Sequence, residues 1–163
     1  LWRELCAEHH FTLPHRITTG GATRFDSVRS GLSKLPAEGL VAVHDGVRPL
    51  VSRTLIRRTF EVAKETGAAL PACPVTDSLR LLGEDDTNEA VDRARYRAVQ
   101  TPQTFDLERL HRAYEQPFSP QFTDDASVYE AAGLGAITLV EGEETNIKLT
   151  TPRDLLLADL LLD

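Results

Sequence analysis

Asp45 stands directly after the apolar run Leu40-Val41-Ala42-Val43, inside the segment His44-Asp45-Gly46-Val47-Arg48-Pro49. A carboxylate at the end of a buried strand can face a ligand edge, and its oxygens suit a hard cation such as Mg²⁺. Arg48, close behind, carries a cation suited to phosphate. The same residues also make an ordinary turn, opened by Asp45, shaped by Gly46 and Pro49, with Arg48 as the ion-pair partner of Asp45. His44 reads as a packing or hydrogen-bonding residue rather than a metal ligand.

Three further segments carry chemistry. In Gly20-Gly21-Ala22-Thr23-Arg24-Phe25-Asp26-Ser27-Val28 two glycines precede a helix start. Backbone can approach a ligand closely there, and Arg24, Ser27 and the first helical N–H groups could address an anion. A plain turn with an N-cap is the competing reading. Arg93, Arg95 and Arg97 alternate ahead of Thr101-Pro102-Gln103, so on a strand they would share one face, either binding phosphate or guarding a solvated edge. Lys148 sits between apolar neighbours in Asn146-Ile147-Lys148-Leu149-Thr150. The histidines form no HExxH pattern, which argues against zinc. Gly133-Leu134-Gly135 lacks the third glycine of a dinucleotide fingerprint, and no GxSxG surrounds any serine.

Alternating strands and helices must hold these groups. Trp2, Leu5 and Cys6 share a helical face; residues 16–19 read as a short strand leading into Gly20-Gly21; Phe25, Val28 and Leu32 repeat at helical spacing. The run 40–43 is typical of a strand buried on both faces. A helix is expected over 54–65 and a strand over 68–73 that Pro74 closes. Residues 78–82 and 90–99, separated by the acidic turn Gly83-Glu84-Asp85-Asp86, suggest a hairpin or protruding arm. Helices follow over 107–114, 126–132 and 155–161, with a strand over 136–140. This order predicts one layered α/β domain with a mostly parallel sheet. Ligands collect beyond the carboxyl ends of such strands, where Gly20-Gly21, His44-Asp45 and Asn146-Ile147-Lys148 would converge.

With 163 residues, 41% hydrophobic and 26% charged, the chain can bury one core without disulfide or metal. The net charge of -7 argues against nucleic acid as a partner, while a small anionic substrate needs only a few converging cations. No stretch is long and apolar enough to predict a membrane span. Cys6 and Cys73 belong to no CxxC pair and read as thiols of a reducing compartment, with cytoplasm as the expectation. The chain contains no Met and opens as if inside a helix, so a C-terminal portion of a longer protein is expected.

Taken in order, GGATRFDSV, HDGVRP, PVTDSL, VDR followed by TPQ, TDDAS and NIKLT resemble the signature series of the 2-C-methyl-D-erythritol 4-phosphate cytidylyltransferases of the non-mevalonate isoprenoid pathway. The resemblance implies a Rossmann-like nucleotidyltransferase fold of the nucleotide-diphospho-sugar transferase type. That fold is a three-layer α/β sandwich with a protruding β-arm at about 75–100. It further implies transfer of CMP from CTP to the polyol phosphate, with Mg²⁺ as cofactor. By similarity, Gly20, Gly21 and Ser27 lie around the nucleotide, and Asp45 faces the metal and the substrate hydroxyls. Arg48, Thr101 and Lys148 surround the methylerythritol phosphate. The arm implies a homodimer in which Ser78 and Arg93 complete the neighbouring site; Lys148, Arg93 and Asp45 are the expected catalytic set. The family's N-terminal glycine-rich nucleotide loop is not in this sequence. Ser78 stands where relatives commonly carry threonine. Two rival readings are a cytidylyltransferase for another polyol phosphate, such as ribitol 5-phosphate, and a non-catalytic dimerisation module.

Overall fold

Two helices open the chain, α1 (Trp2–Glu8) and α2 (Arg24–Leu32), in a computed structural model that describes residues 1–162. They belong to a first compact unit, Leu1–Lys34, and a second unit begins at Leu35; each is described by itself. In the first unit Trp2 Nε1 donates to His15 Nε2 at 2.9 Å, and the indole packs edge-on to Phe11. Residues 16–19 form no strand, contrary to the sequence expectation. They run as an irregular segment tied by Thr18 Oγ1 to Ser30 Oγ at 2.7 Å. Thr23 caps α2, accepting from the Asp26 amide at 3.1 Å, which satisfies one of the donors every helix start leaves open.

The second unit holds β1 (Leu40–Val43), α3 (Arg53–Thr66), β2 (Ala68–Pro74), β3 (Arg80–Leu82), β4 (Asn88–Ala90), β5 (Arg97–Val99), β6 (Gln103–Asp106), α4 (Leu107–Ala113), α5 (Asp125–Ala131), β7 (Thr138–Glu141) and α6 (Pro152–Leu162). β2 is the centre of the sheet. Its start pairs antiparallel with β6 (Ala69 opposite Thr104), its end with β5 (Ala72 opposite Val99), and its other edge pairs parallel with β7 (Ala69 opposite Thr138). β1 flanks β6, with Val41 opposite Phe105. Thus β1, β2 and β7 run one way, and β5 and β6 run against them. The sequence suggested a mostly parallel sheet because β6 was not recognised as a strand.

Alternation along β2 explains the layers. Ala69 faces α3, in a cluster with Leu55, Ala63 and Val140. Leu70 and Ala72 face the other way, onto Ala126 of α5 and Ile137. Both faces are covered, which is why β2 reads as a continuous apolar run. β1 departs from that expectation: all its residues are only half-buried.

The arm follows β2. β3 and β4 pair as a hairpin, Leu81 opposite Glu89, around the acidic turn. The strand expected over 90–99 divides instead. Arg93–Arg95 form a 3-10 turn capped by Asp92, which accepts from the Ala94 amide at 3.0 Å, and only Arg97–Val99 rejoin the sheet. The three arginines therefore do not share a strand face. Among the described residues no helix is long and apolar enough to cross a membrane.

Candidate active site

β1 delivers its chain end to the turn that carries His44, Asp45 and Arg48, and the loop after β7 delivers Asn146 and Lys148 to the same place. Asp45 Oδ2 lies 3.2 Å from Lys148 Nζ and 3.5 Å from Arg48 Nε. Two cations around one carboxylate leave the group net positive, an electrostatic bias toward an anion. The Asp45 and Arg48 side chains retain 16% and 12% of their exposure and that of Lys148 retains 47%, so the lysine is the group presented to solvent.

Thr101, in the break between β5 and β6, organises the turn. Its Oγ1 accepts from the Asp45 amide at 3.0 Å and lies 2.9 Å from His44 Nδ1. His44 Nε2 is 2.9 Å from the Arg48 carbonyl, which can only accept. In the neutral ring Nε2 therefore carries the proton, and the Thr101 hydroxyl donates to Nδ1. His44 is thus a hydrogen-bonding residue, as its surroundings in the sequence suggested.

Arg48 is anchored by Nη1, which donates to the Asn146 carbonyl at 2.7 Å, while its buried Nε has no hydrogen-bond partner among the described residues. Its amide also closes the turn onto the Asp45 carbonyl at 3.0 Å. The turn and Asp45–Arg48 pair foreseen as the ordinary reading are both present. Lys148 joins them at the same carboxylate.

Gly20, Gly21 and Ser27 lie together in the first unit. Ser27 Oγ accepts from the Gly21 amide at 3.0 Å and donates to the Thr23 carbonyl at 3.0 Å. A Cβ on Gly21 would stand 2.2 Å from Asp26 Cβ, so glycine is required there by close approach alone. Ser78 is exposed just before β3, and the Arg93 guanidinium donates to the Thr76 carbonyl.

Three residues of this region, Gln100, Glu143 and Ser52, were not singled out by their types. With Asn146 they form a buried to half-buried hydrogen-bond network on the loop that bears Lys148. Their signal is absent from local spacing, because their partners lie on other elements. TDDAS proves architectural: Asp124 makes a capping box for α5, and buried Asp125 accepts from Tyr114 Oη at 2.6 Å. Burial, followed by the negative side chain of Glu144, raises the Cys73 thiol pKa above its ordinary value. That shift disfavours the thiolate, the nucleophilic form.

As to metal, no group of three or more His, Cys, Asp or Glu side chains among the described residues could hold an ion. Asp45 Oδ2 already faces two cations. This arrangement does not resemble a protein-built cage, but it fits an ion carried by a substrate's phosphates, the common habit of Mg²⁺.

A family model described as 2-C-methyl-D-erythritol 4-phosphate cytidylyltransferase matches residues 5–163. The chain is 54% identical over 161 residues to the protein of that name from Porphyromonas gingivalis, covering 99% of this chain and 72% of the relative. It is 50% identical to the one from Bacteroides thetaiotaomicron, covering 99% and 73%. Among solved structures, that of the Thermus thermophilus 2-C-methyl-D-erythritol 4-phosphate cytidylyltransferase superposes with a TM-score of 0.77 at 38% identity, over 93% of this chain and 77% of that one. The 4-diphosphocytidyl-2C-methyl-D-erythritol synthase of Anaerococcus prevotii reaches a TM-score of 0.86 at 29% identity, over 98% and 76%.

Proposed function

The chain belongs to the 2-C-methyl-D-erythritol 4-phosphate cytidylyltransferase family, and on that premise we propose that Arg48 and Lys148 hold the phosphate of methylerythritol phosphate beside Asp45. The reaction is transfer of CMP from CTP to 2-C-methyl-D-erythritol 4-phosphate in isoprenoid biosynthesis, on a Rossmann-like nucleotidyltransferase fold. Membership in the family sets aside the ribitol-phosphate and non-catalytic readings. The observation that carries the site assignment is the convergence of Lys148 and Arg48 on Asp45.

The nucleophile is an oxygen of the substrate phosphate. It forms a bond to the α-phosphorus of CTP as the bond from that phosphorus to the bridging oxygen breaks, and pyrophosphate leaves with the electron pair. No protein nucleophile is required. The obstacle is repulsion between two polyanions, and fixed cations lower it without reorganising during the reaction. Lys148, half exposed on a pinned loop, moves its ammonium from Asp45 to the incoming phosphate. Asp45 then accepts from the polyol hydroxyls, and the Thr101 hydroxyl, already set beside the Asp45 amide, borders the same subsite. Gly20, Gly21 and Ser27 address the cytidine nucleotide.

Magnesium carried on the phosphates of CTP, with Asp45 as the neighbouring carboxylate, would supply neutralisation of the triphosphate for the departure of pyrophosphate. Asp45 would offer that ion a single carboxylate, beside Arg48 and Lys148. The arm supports a homodimer in which Ser78 and Arg93 reach the neighbouring subunit's site, and an enzyme using ionic metabolites such as CTP belongs in the cytoplasm.

The test is pyrophosphate release by the full-length protein with CTP and Mg²⁺, offered either methylerythritol 4-phosphate or ribitol 5-phosphate, with EDTA as control. Release with methylerythritol phosphate and its loss in EDTA support the reading; release that survives EDTA removes magnesium from it.

A further inference from the structure

Lys148 is half exposed, and its ion pair with Asp45 cannot fix it once a phosphate competes for the ammonium. Its position has to come from the backbone that bears it. Residues 142–149 are tied at several points, and the centre of the pinning is the side chain of Gln100.

Gln100 stands in the break between β5 and β6, 8% exposed, with its own amide bonded to the Pro71 carbonyl at 2.8 Å. Its Oε1 accepts from the Glu143 amide at 3.2 Å and from Asn146 Nδ2 at 3.3 Å. Its Nε2 donates to the Glu143 carbonyl at 2.7 Å and to the Asn146 carbonyl at 3.4 Å. A carboxamide has two acceptor sites and two N–H groups, and here all of them serve one turn of chain. Asn146, fully buried, passes the constraint on by donating to the Thr101 carbonyl at 2.9 Å.

The same loop is tied at its other points. The Glu143 carboxylate accepts from the amide and hydroxyl of Ser52, the N-cap of α3. A Cβ on Gly142 would stand 2.7 Å from both Gln100 Oε1 and Cys73 Sγ, so the chain passes the carboxamide at contact distance. Beyond Lys148, the Leu149 amide donates to the Val47 carbonyl at 2.8 Å, within the turn that bears Asp45.

We propose that Gln100 is a positioning residue for Lys148: its carboxamide clamps residues 143–146 and so sets where the ammonium meets the substrate phosphate. Gln100 itself touches no substrate. This inference rests on the assignment of Lys148 to the phosphate.

The experiment is a double-mutant cycle in the full-length protein with Gln100→Leu, Lys148→Ala and the combination, read as steady-state rates against each substrate at saturating concentration of the other. Because misplacing a catalytic group by about 1 Å can cost up to ~100-fold, we expect Gln100→Leu to lower kcat/KM for methylerythritol phosphate about tenfold. We expect the KM for CTP to be unchanged, and almost no further loss when Gln100→Leu is added to Lys148→Ala, the mark of two residues acting through one group. If Gln100→Leu is insoluble, Glu143→Ala loosens the same loop from its rim, with the same coupling expected at about threefold. Additive losses, or an equal loss for CTP, overturn the clamp while leaving the Lys148 assignment standing. Wild-type turnover by Lys148→Ala overturns that assignment and the inference with it.

Discussion

The Lys148 ammonium lies 3.2 Å from Oδ2 of Asp45, joining the loop after β7 to the turn after β1. Arg48 approaches the same oxygen, so Asp45 holds two cations in reserve for an anion. Asp45→Asn keeps the shape and removes the charge that holds them. We expect turnover to fall by at least about tenfold, since a preorganised charge interaction is typically worth several kcal/mol in a transition state. Stability should fall as well, by about 1–3 kcal/mol, because the largely buried Arg48 loses its carboxylate partner and only the Lys148 pair is open to solvent. Steady-state kinetics with a thermal melt separates the two effects.

Thr101 offers a cleaner dissection. Its hydroxyl accepts from the Asp45 amide and donates to His44. Thr101→Val is nearly isosteric but strands the Asp45 amide, at up to about 1–3 kcal/mol, while exposed His44 can turn to water. Thr101→Ser keeps the hydroxyl. Valine should lower the melting temperature and raise KM for methylerythritol phosphate, whereas serine should do neither strongly; equal behaviour of the two would show that the hydroxyl is idle.

The loop bearing Lys148 ends on Asp154, whose carboxylate accepts from the Thr150 and Thr151 amides at 2.8 Å each. These bonds, that from Thr150 foremost, hold the Asp154 pKa below its ordinary value of 3.8. A depressed carboxylate pKa stabilises the fold above the unfolded value and stops doing so as pH falls through the folded one. The start of α6 should therefore stay tied at pH 3.8 and loosen only as pH falls below that. Protection of the Thr150 and Thr151 amides, taken relative to their intrinsic exchange, should fall there in the wild type, and Asp154→Asn should show the lower protection already at neutral pH.

The arm makes a prediction by complementation. If Ser78 and Arg93 serve the neighbouring subunit, a dimer pairing Lys148→Ala with Arg93→Ala contains one site with both residues intact. Random reassortment in a two-fold dimer puts about half the protein into mixed dimers, so activity should recover to about a quarter of wild type. Each variant alone should be nearly inactive. A mixture no more active than its components would place Arg93 in its own subunit's site or outside any.

Much of this was legible in the sequence, for identifiable reasons. β2 announces itself because helices cover both its faces, and Asp45 because it follows an apolar strand abruptly. The hairpin was legible from its acidic turn. Residues 16–19 misled through apolar and β-branched content without a partner strand, and Arg93 to Arg97 through an alternation that a 3-10 turn interrupts. β6 escaped notice because Gln103 and Thr104 are polar yet buried: Gln103 bonds the start of α5, and Thr104 bonds Thr59 of α3 at 2.9 Å. The Gln100 network was invisible for the same reason. Buried polar groups are recognised by partners distant in sequence, and no local period records them.

The most direct test of the site is the dependence of pyrophosphate release on methylerythritol phosphate concentration, at saturating CTP and Mg²⁺, for the wild type and Lys148→Ala. We expect kcat/KM for methylerythritol phosphate to fall about 100-fold or more, as when a single preorganised donor is removed, with the KM for CTP essentially unchanged. An unchanged kcat/KM in a folded Lys148→Ala protein would contradict the assignment of this cluster to the substrate phosphate.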